Sequence, residues 1–85
     1  MNPIPVRVMV ETSWDQVTLQ PQPAASIREA KQRALALTHS GGTPEDYLVK
    51  FRGAELLDET QSLAAAGIVP NAPLIVLPRR RRPVR

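Results

Sequence analysis

The sequence predicts an α+β domain in which one long helix packs on a mixed four- or five-stranded sheet. Three observations predict it. Short alternating apolar runs occupy the first twenty residues, a capped stripe of helix formers follows from Ser26 to Thr38, and short β-rich runs broken by glycine fill the remainder.

From Val6 to Val10 the pattern Val-Arg-Val-Met-Val puts Val6, Val8 and Val10 on one side, the mark of a strand with one buried face. Glu11-Thr12-Ser13-Trp14-Asp15 is polar and turn-prone. Val17-Thr18-Leu19 then resumes the alternation, so the two runs predict an antiparallel hairpin ended by Pro21 and Pro23.

Ser26 is placed to cap a helix, with Glu29 three residues on as the second half of a capping box. The following run is rich in Ala, Leu, Lys, Arg and Gln. Ile27, Ala30, Ala34 and Leu37 share one stripe, and Arg28, Gln32 and Arg33 are expected to face water. Gly41-Gly42 supplies the left-handed backbone expected to stop the helix, and Thr43-Pro44-Glu45-Asp46 predicts a capped single turn.

Tyr47-Leu48-Val49-Lys50-Phe51 is β-rich, and Gly53 marks a turn towards Glu55-Leu56-Leu57, a second and shorter hairpin. Ser62 can cap a brief turn through Ala66 that Gly67 ends, returning Ile68 to the core. Leu74-Ile75-Val76-Leu77 is continuously apolar. That suits a central strand covered on both sides, or one whose outer face is a binding surface. The order is β-β-α-β-β, within residues 4–78.

The chain has 85 residues, enough for one small core, and no cysteine, so neither disulfides nor thiolate metal sites supplement burial. Met1 to Pro5 lacks a signal-peptide pattern and no apolar run is long enough to span a bilayer, which makes a cytoplasmic protein the expectation. The net charge of +3 is unevenly held. Residues 1–78 carry six Lys/Arg against eight Asp/Glu, whereas residues 79–85 add five arginines. The domain is therefore drawn as 1–78 and the remainder as a disordered, solvated arginine-rich tail.

Several local sequences together resemble ubiquitin and its small relatives, a β-grasp family. Val17-Thr18-Leu19 with Pro23 and Ser26-Ile27-Arg28-Glu29-Ala30-Lys31 is similar to the family's second strand and helix start. Phe51-Arg52-Gly53-Ala54-Glu55-Leu56-Leu57-Asp58, Ser62-Leu63 and Gly67-Ile68 resemble its third-strand turn and short helix, and Leu74 to Leu77 its last strand. The resemblance implies a ubiquitin-like β-grasp fold over nearly the whole chain, with a small insertion around residues 38–42. It implies function only coarsely, because one fold serves many roles.

The departures from the family carry the functional expectation. Family modifiers end in Gly-Gly, whose carboxylate is adenylated and threaded through channels that admit no side chain. Arg82 and Pro83 occupy about those places here, so attachment or sulfur transfer through this terminus is not expected. By the same resemblance Lys50 stands where ubiquitin has the isoleucine at the centre of its recognition patch, Leu77 where it has a neighbouring valine, and Ile75 at a histidine position of that face. These three are the candidate protein-binding residues; filling the sheet is the plainer role open to them. The small diglycine-lacking ubiquitin-like proteins of bacterial type VII secretion are the nearest functional analogue, implying a bacterial accessory or regulatory binding module. A modifier with an atypical terminus is the remaining alternative within the family.

No catalytic residue is assigned. His39, Ser40 and Asp46 are close in sequence but sit at a helix end beside two glycines, not on the rigid frame a triad needs. One histidine without cysteine makes no zinc site, and the glycines do not form a phosphate loop, so no metal, cofactor or small-molecule substrate is implied. Trp14 is either an anchor for a partner or, the reading the sequence favours, an indole folded back over the open edge of the core. Lys31 is expected to be a solvated or salt-bridged helix residue.

Arg79, Arg80, Arg81 and Arg82 are the candidate anion site. They suit weak contact with nucleic acid or anionic lipid, steering of an acidic protein, or solubilisation alone.

Overall fold

The computed structural model describes residues 2–79. Five strands form one sheet: β1 (Val6–Val10), β2 (Asp15–Leu19), β3 (Tyr47–Phe51), β4 (Ala54–Glu55) and β5 (Ala72–Pro78). Their spatial order is β2-β1-β5-β3-β4. β5 is central, parallel to β1 and antiparallel to β3, while β1–β2 and β3–β4 are antiparallel hairpins. Among the described residues the one α-helix, α1 (Ile27–Leu37), crosses one face, and a 3-10 turn over Pro44–Asp46 follows it.

Strand alternation sorts the side chains as the sequence indicates. Val6, Val8 and Val10 of β1 and Ala72, Leu74 and Val76 of β5 are buried with Val49 against Ile27, Ala30 and Ala34 of the helix. Burying each of these larger aliphatic side chains contributes about 1.5–3 kcal/mol, which is how a chain without disulfides holds together. Ser26 caps α1 through its Oγ, which accepts from the Glu29 N–H at 3.1 Å, and Glu29 accepts in return from the Ser26 N–H at 3.3 Å. The Ser62 turn also forms. Ser62 Oγ accepts from the Ala65 N–H, Gly67 adopts φ +82°, and Leu63 is wholly buried.

The second hairpin is tighter than the sequence suggests. Arg52 and Gly53 both have positive φ, as a two-residue turn matched to strand twist requires, so β4 pairs for only two residues and Leu57 is left 82% exposed.

The structure departs from the sequence-based expectation at three places. First, Leu37 is exposed and Leu35 buried instead, so α1 is rotated about its axis. The rotation brings Lys31 to 2% exposure, where its Nζ donates to the Tyr47 carbonyl at 3.0 Å and pairs with Glu59. Secondly, the helix is stopped before the glycines. His39 takes the left-handed φ of 54°, its N–H donates to the Ala36 carbonyl, and the Ser40 N–H donates to the Leu35 carbonyl at 3.0 Å. This Schellman pairing satisfies the last carbonyls, and Gly42 serves the next bend with φ +83°. Thirdly, Trp14 does not cover the core. It is the left-handed residue (φ 55°) of the Glu11–Trp14 reversal, and it is 74% exposed.

Among the described residues no helix is long and apolar enough to cross a membrane.

Candidate protein-interaction surface

The face of the sheet opposite α1 is built by the outward half of each alternation. On β5 it presents Pro73, Ile75 and Leu77, between the inward Ala72, Leu74 and Val76. Register fixes their neighbours. Ile75 pairs with Met9 of β1 on one side and Lys50 of β3 on the other; Lys50 in turn pairs with Glu55, and Met9 with Gln16. One row, Gln16-Met9-Ile75-Lys50-Glu55, therefore crosses all five strands. In the next row Leu77 pairs with Leu48.

The three residues singled out from the sequence, Lys50, Ile75 and Leu77, thus lie together on one face. Ile75 is 42% exposed on the central strand, while Leu77, Leu48, Met9 and Lys50 are half-buried. Towards the C-terminal end of β5 a shallow depression is floored by Leu48 and Leu77 and rimmed by Glu11, Lys50, Glu55 and Arg79. An apolar centre with a charged rim of both signs is the layout of a specific protein interface. Leu48 and Met9 belong to the same surface. Their signal in the sequence is the alternation itself, since each stands between two inward-facing neighbours in its strand.

Arg79 behaves as part of the body. Its backbone N–H donates to the Asp46 carbonyl at 2.8 Å and its Nε to the Glu45 carbonyl at 3.0 Å. The guanidinium also stands 3.4 Å from Glu55 Oε2 and 3.6 Å from Glu59 Oε2. Charge draws it in, because the carboxylates of Glu55 and Glu59, from two different segments, converge where β5 ends. Arg80, Arg81 and Arg82 lie outside the described residues.

Beside this cluster Glu45 Oε2 pairs with Arg28. The Glu45 backbone N–H and the Arg28 guanidinium hold the carboxyl below its ordinary value. In the loop after β4, the Thr60 hydroxyl and N–H donate to Asp58 Oδ1 and lower its pKa likewise. His39, Ser40 and Asp46 serve local structure. The first occupies the helix stop, Ser40 Oγ bonds Thr38 Oγ1 at 2.8 Å, and Asp46 Oδ2 accepts from the Thr43 N–H at 3.1 Å. Among the described residues no group of three or more His, Cys, Asp or Glu is arranged to hold a metal ion.

No protein-family model and no curated protein matches the chain in sequence. Solved structures do match it in shape. The ubiquitin-like domain of an Arabidopsis thaliana protein superposes with a TM-score of 0.79 at 16% identity, covering 100% of this chain and 86% of that one. Ubiquitin of Caldiarchaeum subterraneum gives 0.78 at 13% identity, covering 95% and 99%. A designed protein based on ubiquitin gives 0.79 at 20% identity, covering 99% and 98%. At these identities the likeness establishes the fold, which is ubiquitin-like: one helix on a five-stranded mixed sheet.

Proposed function

We propose that this chain is a non-catalytic ubiquitin-like module that binds other proteins reversibly through the outer face of its sheet, with Ile75 and Leu77 as anchors and Lys50 as their charged neighbour. The observation that carries the reading is the register. It gathers Met9, Ile75, Leu77 and Leu48 into one surface on the central strands, where an apolar patch of this kind gains most from being covered. Attachment through the segment after β5 is not part of the reading, because residues 79–83 run Arg-Arg-Arg-Arg-Pro where modifiers of this fold carry Gly-Gly. The role is that of an accessory binding subunit, like that of the small diglycine-lacking ubiquitin-like proteins of bacterial type VII secretion.

The test is affinity capture followed by quantitative mass spectrometry, comparing the parent chain with Ile75→Asp and Leu77→Asp. Both positions face outward, so circular dichroism should report an intact fold. Partners enriched by the parent should be lost from both variants; an unchanged set of partners would exclude this face as the binding surface.

A further inference from the structure

One edge of the sheet is open. β2 stands first in the strand order and pairs with β1 alone, in an unbroken register from Asp15 to Leu19. The ladder fixes which of its backbone groups are free. The Ile4 N–H donates to the Pro21 carbonyl at 2.9 Å, and bonded pairs recur at every second residue of an antiparallel ladder, so Val6–Leu19, Val8–Val17 and Val10–Asp15 are the bonded pairs. Gln16, Thr18 and Gln20 therefore turn their N–H and C=O groups away from β1. Edge strands are ordinarily blunted by lysine, proline or a bulge. Gln16-Val17-Thr18-Leu19-Gln20 has no charge and no proline.

Beside this edge, between β2 and α1, runs a groove lined by Leu19, Ala30, Ala36 and Leu37, with Glu29 and Arg33 one helical turn apart along it. Leu37 is 56% exposed there, and Arg33 has no ion pair among the described residues.

We propose that β2 pairs antiparallel with β2 of a second copy, about a two-fold axis through Thr18, joining the two five-stranded sheets into one. The edge matches itself in that register. Thr18 lies opposite Thr18, and Gln16 opposite Gln20 of the second copy, so each of the three residues with free backbone groups gains a bonded partner. Val17 and Leu19, which face the helix side, then lie opposite one another, and Asp15 meets Pro21, so no like charges are opposed. An axis normal to the sheet brings the two grooves face to face with their helices antiparallel. A rim that bears Glu29 and Arg33 a turn apart is complementary to its own two-fold copy. An unrelated extended peptide satisfies the backbone groups equally well; the uncharged, self-matching edge and the rim of both signs select a second copy. The dimer leaves both outer sheet faces free and pointing the same way. The surface proposed above becomes bivalent, a consequence that rests on that reading while the pairing itself does not.

The chain holds no cysteine, so an introduced thiol reports the register. Thr18 is exposed, and opposed residues of a bonded antiparallel pair stand about 5.5 Å apart at Cα, within disulfide reach. Thr18→Cys in the intact chain should give a cross-linked dimer on mild oxidation, whereas Ala65→Cys, exposed in the turn after Ser62, should not at the same concentration. Sedimentation equilibrium from micromolar to millimolar parent chain should show the mass rising from one chain to two. Thr18→Lys sets like charges against each other at the axis and should weaken that association by about tenfold, with the circular dichroism unchanged. Three results overturn the proposal: the mass of one chain at every concentration, Thr18→Lys associating as tightly as the parent, or cross-linking of Thr18→Cys no greater than that of Ala65→Cys.

Discussion

Lys31 Nζ lies 2.5 Å from Glu59 Oε1 with the lysine side chain only 2% exposed, so a helix residue and a loop residue share a nearly dry ion pair. The lysine also donates to the Tyr47 carbonyl at 3.0 Å. Glu59 Oε2 is buried without a hydrogen-bond partner among the described residues, and Arg79 Nη2 stands 3.6 Å away. The pair thus ties α1 to β3 and, through Arg79, to the end of β5. Its geometry accounts for the rotation of the helix that exposes Leu37.

Breaking such a pair from one side strands a buried charge. Glu59→Ala is predicted to destabilise the domain by about 3–5 kcal/mol, whereas Lys31→Met combined with Glu59→Leu should lie within about 1–2 kcal/mol of the parent because no charge is left unpaired. Urea unfolding followed by circular dichroism measures both. A Glu59→Ala midpoint equal to the parent's would show that the pair does not hold the helix.

Acid sensitivity follows from Glu45 and Asp58. Both carboxyls are held below their ordinary values of 4.5 and 3.8, so the folded state releases their protons more readily than the unfolded chain. The stabilisation they give is complete above those values and is lost as pH falls through the lower folded ones. Stability should therefore decline once pH drops towards 4.5 and continue to fall below 3.8. Glu45→Gln should flatten the upper part of that decline, and added salt should reproduce only the part that comes from Arg28, since that pair is exposed while the backbone hydrogen bond is not screened away. A pH–stability slope identical in Glu45→Gln and parent would remove Glu45 from the account.

The helix stop gives a stabilising change. His39 holds φ 54°, where a glycine carries no Cβ penalty, so His39→Gly should raise stability by about 0.5–1 kcal/mol. His39→Val, β-branched, should lower it by at least as much. Thermal unfolding of the two variants checks the sign, and a loss of stability in His39→Gly would contradict the assignment.

Much of the body was legible in the sequence because alternation and capping are local. The Val6-Val8-Val10 face, the Ser26–Glu29 box and the Gly67 stop each depend on a few adjacent residues. What escaped depended on distant groups. The burial of Lys31 on α1 depends on Glu59 and the Tyr47 carbonyl, and Arg79 is held to the body by the carboxylates of Glu55 and Glu59 and the carbonyls of Glu45 and Asp46. His39 and Trp14 hid their left-handed backbones because neither is the residue type that advertises one. The candidate surface sits between these cases. Strand periodicity placed Ile75 and Leu77 outward, but joining them to Met9 and Leu48 required the strand order and register.

The most direct measurement of the central claim is amide chemical-shift mapping of the labelled chain with its most enriched captured partner. Shifts should concentrate on Met9, Leu48, Lys50, Ile75 and Leu77, leaving the solvent side of α1 at Arg28, Gln32 and Arg33 unmoved. Shifts confined to that helix side, with the outer sheet face silent, would contradict it.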